Sequence, residues 1–465
     1  MKKLRFSFIN CIFVIFFGFL LTSVGHLSWM YHLMEQTSAE LSFQLSTVAG
    51  YGLQAVGMGA FIALSARTRL SPRTVFVAAL TAYAACLIPS VLGSSLPVSV
   101  VFGFLLSLFC GVIAGYYLYE LTASVPKNRR ALSFGCSYGA ATVASWLLSL
   151  PGGGSAYSGA GAVIIGLVLT ALSVLAAVIK PALNEKALQT ERMPAEKTPQ
   201  AVSVQQKPRM LLLIAGGVVL LFSLVNNIGF SYSASAVQDG LRPEFSRLFY
   251  AVGLIAAGVV TDLSRKHGAV CALASLVLPF VVPALKGNPF SVVFFWALGY
   301  FAFGFYAVYR VVVFSDVADS RGLPLLAVSG LLIGRLGDAL GAELQAAFAW
   351  NEAALVMLSA ALFIGAVFLF IRLFQILYNP EPVRQKSERE IFNDFAVRYS
   401  LSDRERDVLR LLLDNKSNKE ISAAICVSEN TVKFHVRNLL QKTDCKNRVE
   451  LKAAYHNMES ASLFA

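Results

Sequence analysis

Hydrophobic and polar positions divide the chain into two regimes. From residue 6 to residue 377, long apolar runs alternate with short polar breaks, and each run can cross a bilayer core of roughly 30 Å. The runs fall near 6–28, 42–65, 74–93, 98–120, 131–150, 159–180, 210–231, 246–263, 269–286, 290–313, 323–345 and 353–377. Beyond residue 379 the pattern shortens to amphipathic pieces. The expected fold class is all-α: about twelve transmembrane helices, six plus six, followed by a small four-helix domain. The expected divisions are a first membrane half (1–180), a polar linker (181–209), a second membrane half (210–378), a tether with an amphipathic helix (379–399) and a terminal domain (400–465).

An even number of spans returns the C-terminus to the side of the N-terminus. Lys2, Lys3 and Arg5, then Arg67, Arg69 and Arg73, then Lys127, Arg129 and Arg130, then Arg265 and Lys266 all fall on alternate loops. The opposite loops offer Arg242, Arg247 and Lys286. By the positive-inside rule both termini are cytoplasmic, in a multi-pass protein of the inner (cytoplasmic) membrane. The basic start Met1–Arg5 reads as the flank of an uncleaved first span, because no small-residue cleavage site follows it.

The pieces beyond residue 400 open with helix-starting signals. Ser402 is followed by Glu405, Ser417 by Glu420 and Asn447 by Glu450, which are capping boxes; Ser428 caps a further helix without the carboxylate. Such short helices must pack on one another to be stable. In the third, Val432, Val436 and Leu439 form an apolar seam at helical spacing, while Lys433, Arg437 and Gln441, with Phe434 beside them, form a row on another face. Long cationic side chains on one exposed helix face suit the DNA major groove, where they read guanine edges. A preceding helix joined by the short turn Ile425–Ser428 sets this apart from an ordinary solvated face. Residues 379–399 carry Pro380 and Pro382, then Ser387–Glu390 leading into Ile391, Phe392 and Phe395, the pattern of a short tether and an amphipathic helix.

Leu401–Leu451 resembles the LuxR/GerE-type helix-turn-helix domain found at the C-terminus of NarL-like regulators. The resemblance rests on Arg404-Glu405, Val408-Leu409, Asn418–Ile421, Ser428–Lys433, His435, Lys442, Arg448 and Glu450. It implies base contacts by Lys433, Phe434 and Arg437, and phosphate contacts by Lys419, Asn430, Thr431 and Lys442. It also implies pairing of two copies through the fourth helix, at Arg448, Leu451, Ala454 and Tyr455. Asn415 stands where that family usually has a turn glycine. The six-linker-six plan resembles the major facilitator transporters. Gly258–Asp262 followed by Arg265-Lys266 is similar to their loop signature, one residue short, and the loop after span two (Ala63–Arg73) lacks the acidic partner.

Composition agrees with a bilayer: 56% of residues are hydrophobic and 14% charged, against roughly a quarter charged in soluble domains. The net charge of +12 mostly records the basic loops. Within the spans, Gly330, Gly334, Gly337 and Gly341 give two G-x-x-x-G spacings that let helices approach closely. Arg335 and Asp338, three residues apart, share a face of that helix. Intramembrane charge is costly, so the pair is either a sensor site or an internally neutralised packing device. Asn226, Asn227, Gln54 and His26 are further polar candidates, as sensor residues or as structural hydrogen bonds. Arg310 and Arg372 are expected to lie near cytoplasmic helix ends and snorkel. Seven cysteines show no metal-ligand spacing. There is no nucleotide-binding glycine loop and no nucleophile constellation, so neither an enzyme nor a cofactor is expected.

These features read as a membrane-embedded one-component transcriptional regulator. A multi-span sensor of an unknown small-molecule signal would control a reader of double-stranded promoter DNA, as a homodimer on DNA. The rival readings are a transporter of the major facilitator type with an appended DNA-binding domain, and a helical module that binds protein instead of DNA.

Overall fold

The computed structural model describes residues 2–68, 70–149, 157, 159–178, 208–234, 246–278, 280, 289–348 and 350–378 in one compact unit, and 388–463 in a second. The predicted linker 181–209 and the tether 379–387 lie almost wholly outside the described residues, as do Arg242 and Lys286. All regular structure described is helical.

The first unit contains α1 (Lys2–Gln36), α2 (Ala39–Phe43), α3 (Gly50–Arg67), α4 (Pro72–Leu92), α5 (Leu96–Ser124), α6 (Arg130–Leu148) and α7 (Gly159–Val178). It continues with α8 (Pro208–Ala234), α9 (Ser246–Leu263), α10 (Arg265–Ser275), α11 (Pro289–Arg321), α12 (Val328–Ala347) and α13 (Glu352–Tyr378). Helix starts carry expected chemistry: Ser71 Oγ accepts from Thr74 N at 3.1 Å, with Pro72 in the first turn of α4. Eleven helices among the described residues are long and apolar enough to span a membrane. The remaining predicted span, 269–286, is entered by α10, and much of its second half lies outside the described residues.

Two apolar clusters support this unit. One centres on α1, α3, α4 and α5 around Phe61, Phe76, Tyr83 and Leu118, and the other on α8, α11 and α13 around Phe222, Val313 and Phe370. The glycine row of α12 works as predicted, against two neighbours. A Cβ on Gly330 would stand 2.2 Å from the carbonyl oxygen of Arg310 on α11, and one on Gly337 would stand 2.5 Å from Ser223 Cβ on α8. Both helices therefore lie as close to α12 as backbone permits.

At one end of the bundle the two halves are cross-linked by polar contacts. Asp262, in the loop-signature stretch, accepts from the backbone N–H of Ala131 at 3.1 Å and of Leu132 at 2.7 Å, so it caps α6 from the other half. Arg265 pairs with Asp262 at 3.0 Å and Asp316 at 3.4 Å, and Lys127 meets Asp316 at 3.6 Å. Arg130 pairs with Asp319 at 2.5 Å and donates to the carbonyls of Thr122 and Val125.

Arg310 corrects one expectation. Its helix continues past it to Arg321, about 16 Å further, so its side chain cannot reach the helix end. It is 3% exposed and bonded within the protein. Arg372 is exposed, its guanidinium 5.8 Å from the Phe368 ring centre.

The second unit has five helices: α14 (Glu388–Arg398), α15 (Asp403–Leu413), α16 (Asn418–Ala424), α17 (Glu429–Lys442) and α18 (Arg448–Leu463). The amphipathic helix α14 is more than the end of a tether. Ile391, Phe392 and Phe395 enter the same core as Val408, Leu412, Ile421, Val432, Leu439 and Leu451. Both serine–glutamate capping boxes form in full. At α18 the third box is altered: Asn447 Oδ1 accepts from Glu450 N at 2.9 Å, but Glu450 returns to Lys446 N rather than to Asn447.

No glycine occurs beyond Gly365, yet all four turns of this unit need left-handed backbone. Ser400, Asn415, Cys426 and Asp444 take φ of 49°, 62°, 55° and 52°. After each, the next N–H bonds five residues back: Leu401 to Ala396, Lys416 to Leu411, Val427 to Ser422 and Cys445 to Leu440, all at 2.9–3.0 Å. These are Schellman closures built on non-glycine residues, and Asn415 fills the turn-glycine position foreseen for it.

Candidate nucleic-acid interface and membrane cavity

Helices α16 and α17 are joined by the turn Ile425–Ser428, with Cys426 at positive φ setting the angle between them. Ser428 Oγ accepts from Thr431 N at 3.1 Å and fixes where α17 begins. Val432, Val436 and Leu439 are buried, which turns Lys433, Phe434, Arg437 and Gln441 outward. Phe434 is 60% exposed, its ring edge-on to that of His435 with centres 5.7 Å apart. Lys419 and Asn430 are also exposed and Thr431 is half-buried. Six of the seven residues expected at DNA are thus on the surface with unoccupied head groups or at the start of α17.

Lys442 is engaged differently. Its ammonium donates to Glu405 Oε2 at 2.7 Å and to the Ser400 carbonyl at 3.0 Å. Glu405 is 3% exposed and also accepts from Ser402 N at 2.8 Å. Burial alone would raise its carboxyl, but Lys442 and the Ser402 amide and hydroxyl outweigh that and hold it below the usual range. One carboxylate therefore caps α15 and anchors the end of α17. Glu420, bonded to the Ser417 amide and hydroxyl, is lowered likewise.

The fourth-helix residues expected at a dimer contact are all buried or half-buried within their own unit. Leu451 and Tyr455 are 1% and 7% exposed; Tyr455 packs on Phe395 of α14, ring centres 5.3 Å apart. Arg448 donates to Asn418 Oδ1, and Ala454 is half-buried. The apolar face of α18 is spent on its own core, because α14 covers it.

In the membrane unit all six predicted sensor residues, His26, Gln54, Asn226, Asn227, Arg335 and Asp338, line one cavity of about 530 Å³. Sequence spacing could pair Arg335 with Asp338, and they do meet, at 3.5 Å. The shorter contact is to Arg310 of α11, at 3.1 Å from the same Asp338 oxygen. Arg310 Nη1 also donates to the Tyr306 hydroxyl at 3.3 Å, and Tyr306 bonds Ser223 of α8. Arg335 lies 4.3 Å from the Tyr51 ring centre, a cation–π contact from α12 to the first half. Reasoning along the chain missed Arg310 and Arg247, which lines the same cavity. The signal for Arg310 lay in its 28-residue separation from Asp338, which only helix packing closes.

Residues 399–454 match the family described as bacterial regulatory proteins, luxR family. The spore germination protein GerE of Bacillus subtilis is 40% identical over 55 residues, 74% of its length and 12% of this chain. The chain belongs to the luxR family. The LuxR-type match also takes in the transcriptional regulatory protein YhcZ of Bacillus subtilis, 52% identical over 52 residues. The nitrate/nitrite response regulator NarP of Escherichia coli is 46% identical over 63. The chain spans 24% and 29% of those two relatives and 11% and 13% of it is matched, so the likeness is confined to the second unit. The membrane unit is similar in fold to two solved transporters. The nucleoside transporter NupG gives a TM-score of 0.51 at 17% identity, covering 80% of this chain and 100% of that one. The Escherichia coli fucose:proton symporter FucP gives 0.53 at 13%, covering 78% and 98%. The protein joins a LuxR-type domain to a multi-span unit that has the fold of these two transporters.

Proposed function

We propose that this protein is a one-component transcriptional regulator held in the inner membrane with both termini cytoplasmic. A small molecule in the cavity between the membrane halves biases their arrangement, and the LuxR-type unit reads promoter DNA as a homodimer. The observation that carries this reading is a single chain holding both an exposed Lys433–Phe434–Arg437 row on a helix-turn-helix and a charged, multi-helix cavity. With Leu451 and Tyr455 occupied internally, a second copy would meet α18 at Val449, Ala453 and His456, which lie outward on one helical face. The test is DNA binding by the intact protein in nanodiscs, titrated with salt, beside a promoter reporter in cells. Binding must weaken with salt and with Arg437→Ala, and the reporter must respond to the same change. Intact binding in the variant would remove the proposed reading face.

The cavity and the fold likeness to NupG and FucP favour one second reading, transport retained beside regulation. Substrate flux into proteoliposomes that survives deletion of residues 388–465 would establish it.

A further inference from the structure

The charge in the membrane cavity is unbalanced. Among the described residues, Arg247, Arg310 and Arg335 line it against one carboxylate, Asp338, and every other described lining residue is neutral or histidine. Asp338 cannot neutralise both of its arginines, because the two guanidinium groups share one oxygen, at 3.1 and 3.5 Å. Arg310 is 3% exposed, and its Nε, like that of Arg335, is buried with no hydrogen-bond partner. A buried guanidinium with open donors and half a counter-ion is costly unless something else supplies negative charge. The walls around it are rings: Tyr51, Tyr117, Tyr138 and Tyr250 line the same space. Nearby, Asn226 Oδ1, Asn227 Oδ1 and His26 Nδ1 are also buried without partners.

We infer that the ligand of this cavity is a small organic anion whose acidic group is bound by Arg310 and Arg335 while its uncharged body lies against the tyrosines. This rests on the proposed sensor reading and narrows it to a ligand class. Arginine suits an acidic group because its fork offers two parallel donors to a carboxylate or phosphate, and Asp338 holds both forks in place. The volume, about 530 Å³, matches a compact organic molecule rather than a bare ion.

The experiment uses the full chain in phosphatidylcholine nanodiscs and reads thermal unfolding with matched pairs. The probes are benzoate and benzamide, phenylacetate and phenylacetamide, indole-3-acetate and indole-3-acetamide, with inorganic phosphate alone. Acids are expected to raise Tm while their amides do not. Arg335→Gln should weaken the acid's apparent affinity by about tenfold or more, and Arg335→Lys by less, since charge without the fork is partly sufficient. Should Arg335→Gln fail to insert, Arg247→Gln lowers the same charge excess from another helix and carries the same expectation of weaker acid binding. Amides as effective as acids, or no effect of any acid, would overturn the inference. So would stabilisation by phosphatidylglycerol discs alone, which would make a lipid headgroup the anion. An acid that binds yet leaves DNA affinity of the intact protein unchanged would leave the anion site standing and remove the regulatory reading.

Discussion

Cys426 shows how much one backbone angle contributes to the reading domain. It holds φ at 55° in the turn that sets α17 against α16, a conformation costing a non-glycine residue about 1–2 kcal/mol. Cys426→Gly should therefore raise the unfolding free energy of a 388–465 fragment by about 1 kcal/mol, whereas Asn415→Gly should add only a few tenths. Chemical denaturation of the two variants checks the ranking. Arg437→Ala should leave that stability unchanged and cost about 1–3 kcal/mol in DNA binding, relaxing preference at one base position. Glu405 ties protonation to folding. Its folded pKa is lowered, so its contribution is present above the ordinary carboxylate value of 4.5 and is lost as pH falls through the folded value. Glu405→Gln should thus be less stable than the parent at pH 7, with the gap closing in acid. Lys442→Ala should cost the fold about 1–2 kcal/mol, discounted for the exposure of the lysine, as well as any phosphate contact it makes.

Among the elements, α14 changes its status most. Its phenylalanines complete the core that α15 to α18 leave open, and Phe395 is fully buried. Phe395→Ala should destabilise the second unit by about 3–5 kcal/mol, and a fragment starting at residue 400 should unfold more readily than one starting at 388. In the membrane unit α12 has the corresponding position. Its glycines admit α8 and α11, and that closeness brings Arg310 onto Asp338. Gly337→Val should disrupt insertion or packing outright, because the neighbours facing it are Ser223 Cβ and the Leu220 carbonyl and neither can recede freely.

Across the whole molecule, sidedness and coupling are the measurable properties. Reporter fusions after Arg5, within 181–209 and after Ala465 should all score as cytoplasmic; an external C-terminus would contradict the regulatory reading. Asp338→Asn should be the most informative single change, since it strands two arginines rather than one, a loss of about 3–5 kcal/mol if both stay charged and dry. A ligand shifts two states only by its differential affinity for them. Promoter output from Asp338→Asn should consequently stop following the signal, while the detached second unit still binds DNA. Normal regulation in that variant would make the charged cluster structural.

Local rules settled a large share of this protein. Span-length apolar runs, alternating basic loops, capping serines and the Lys433–Phe434–Arg437 spacing are properties of neighbours in sequence, and lipid and helix geometry leave few other ways to satisfy them. The six polar residues picked out within the spans converge on one cavity for the same reason, because an apolar wall tolerates polarity only where it faces polarity. What the linear order could not express was partnership across distance. Asp338 meets Arg310 only through the packing of α11 on α12, Asp262 caps a helix of the opposite half, and Lys442 finds Glu405 37 residues away. Leu451 and Tyr455, implied by the family resemblance at a contact between copies, are buried in their own core beside α14. Periodicity reports which face of a helix is apolar, but only tertiary structure decides whether its own chain or another molecule buries that face.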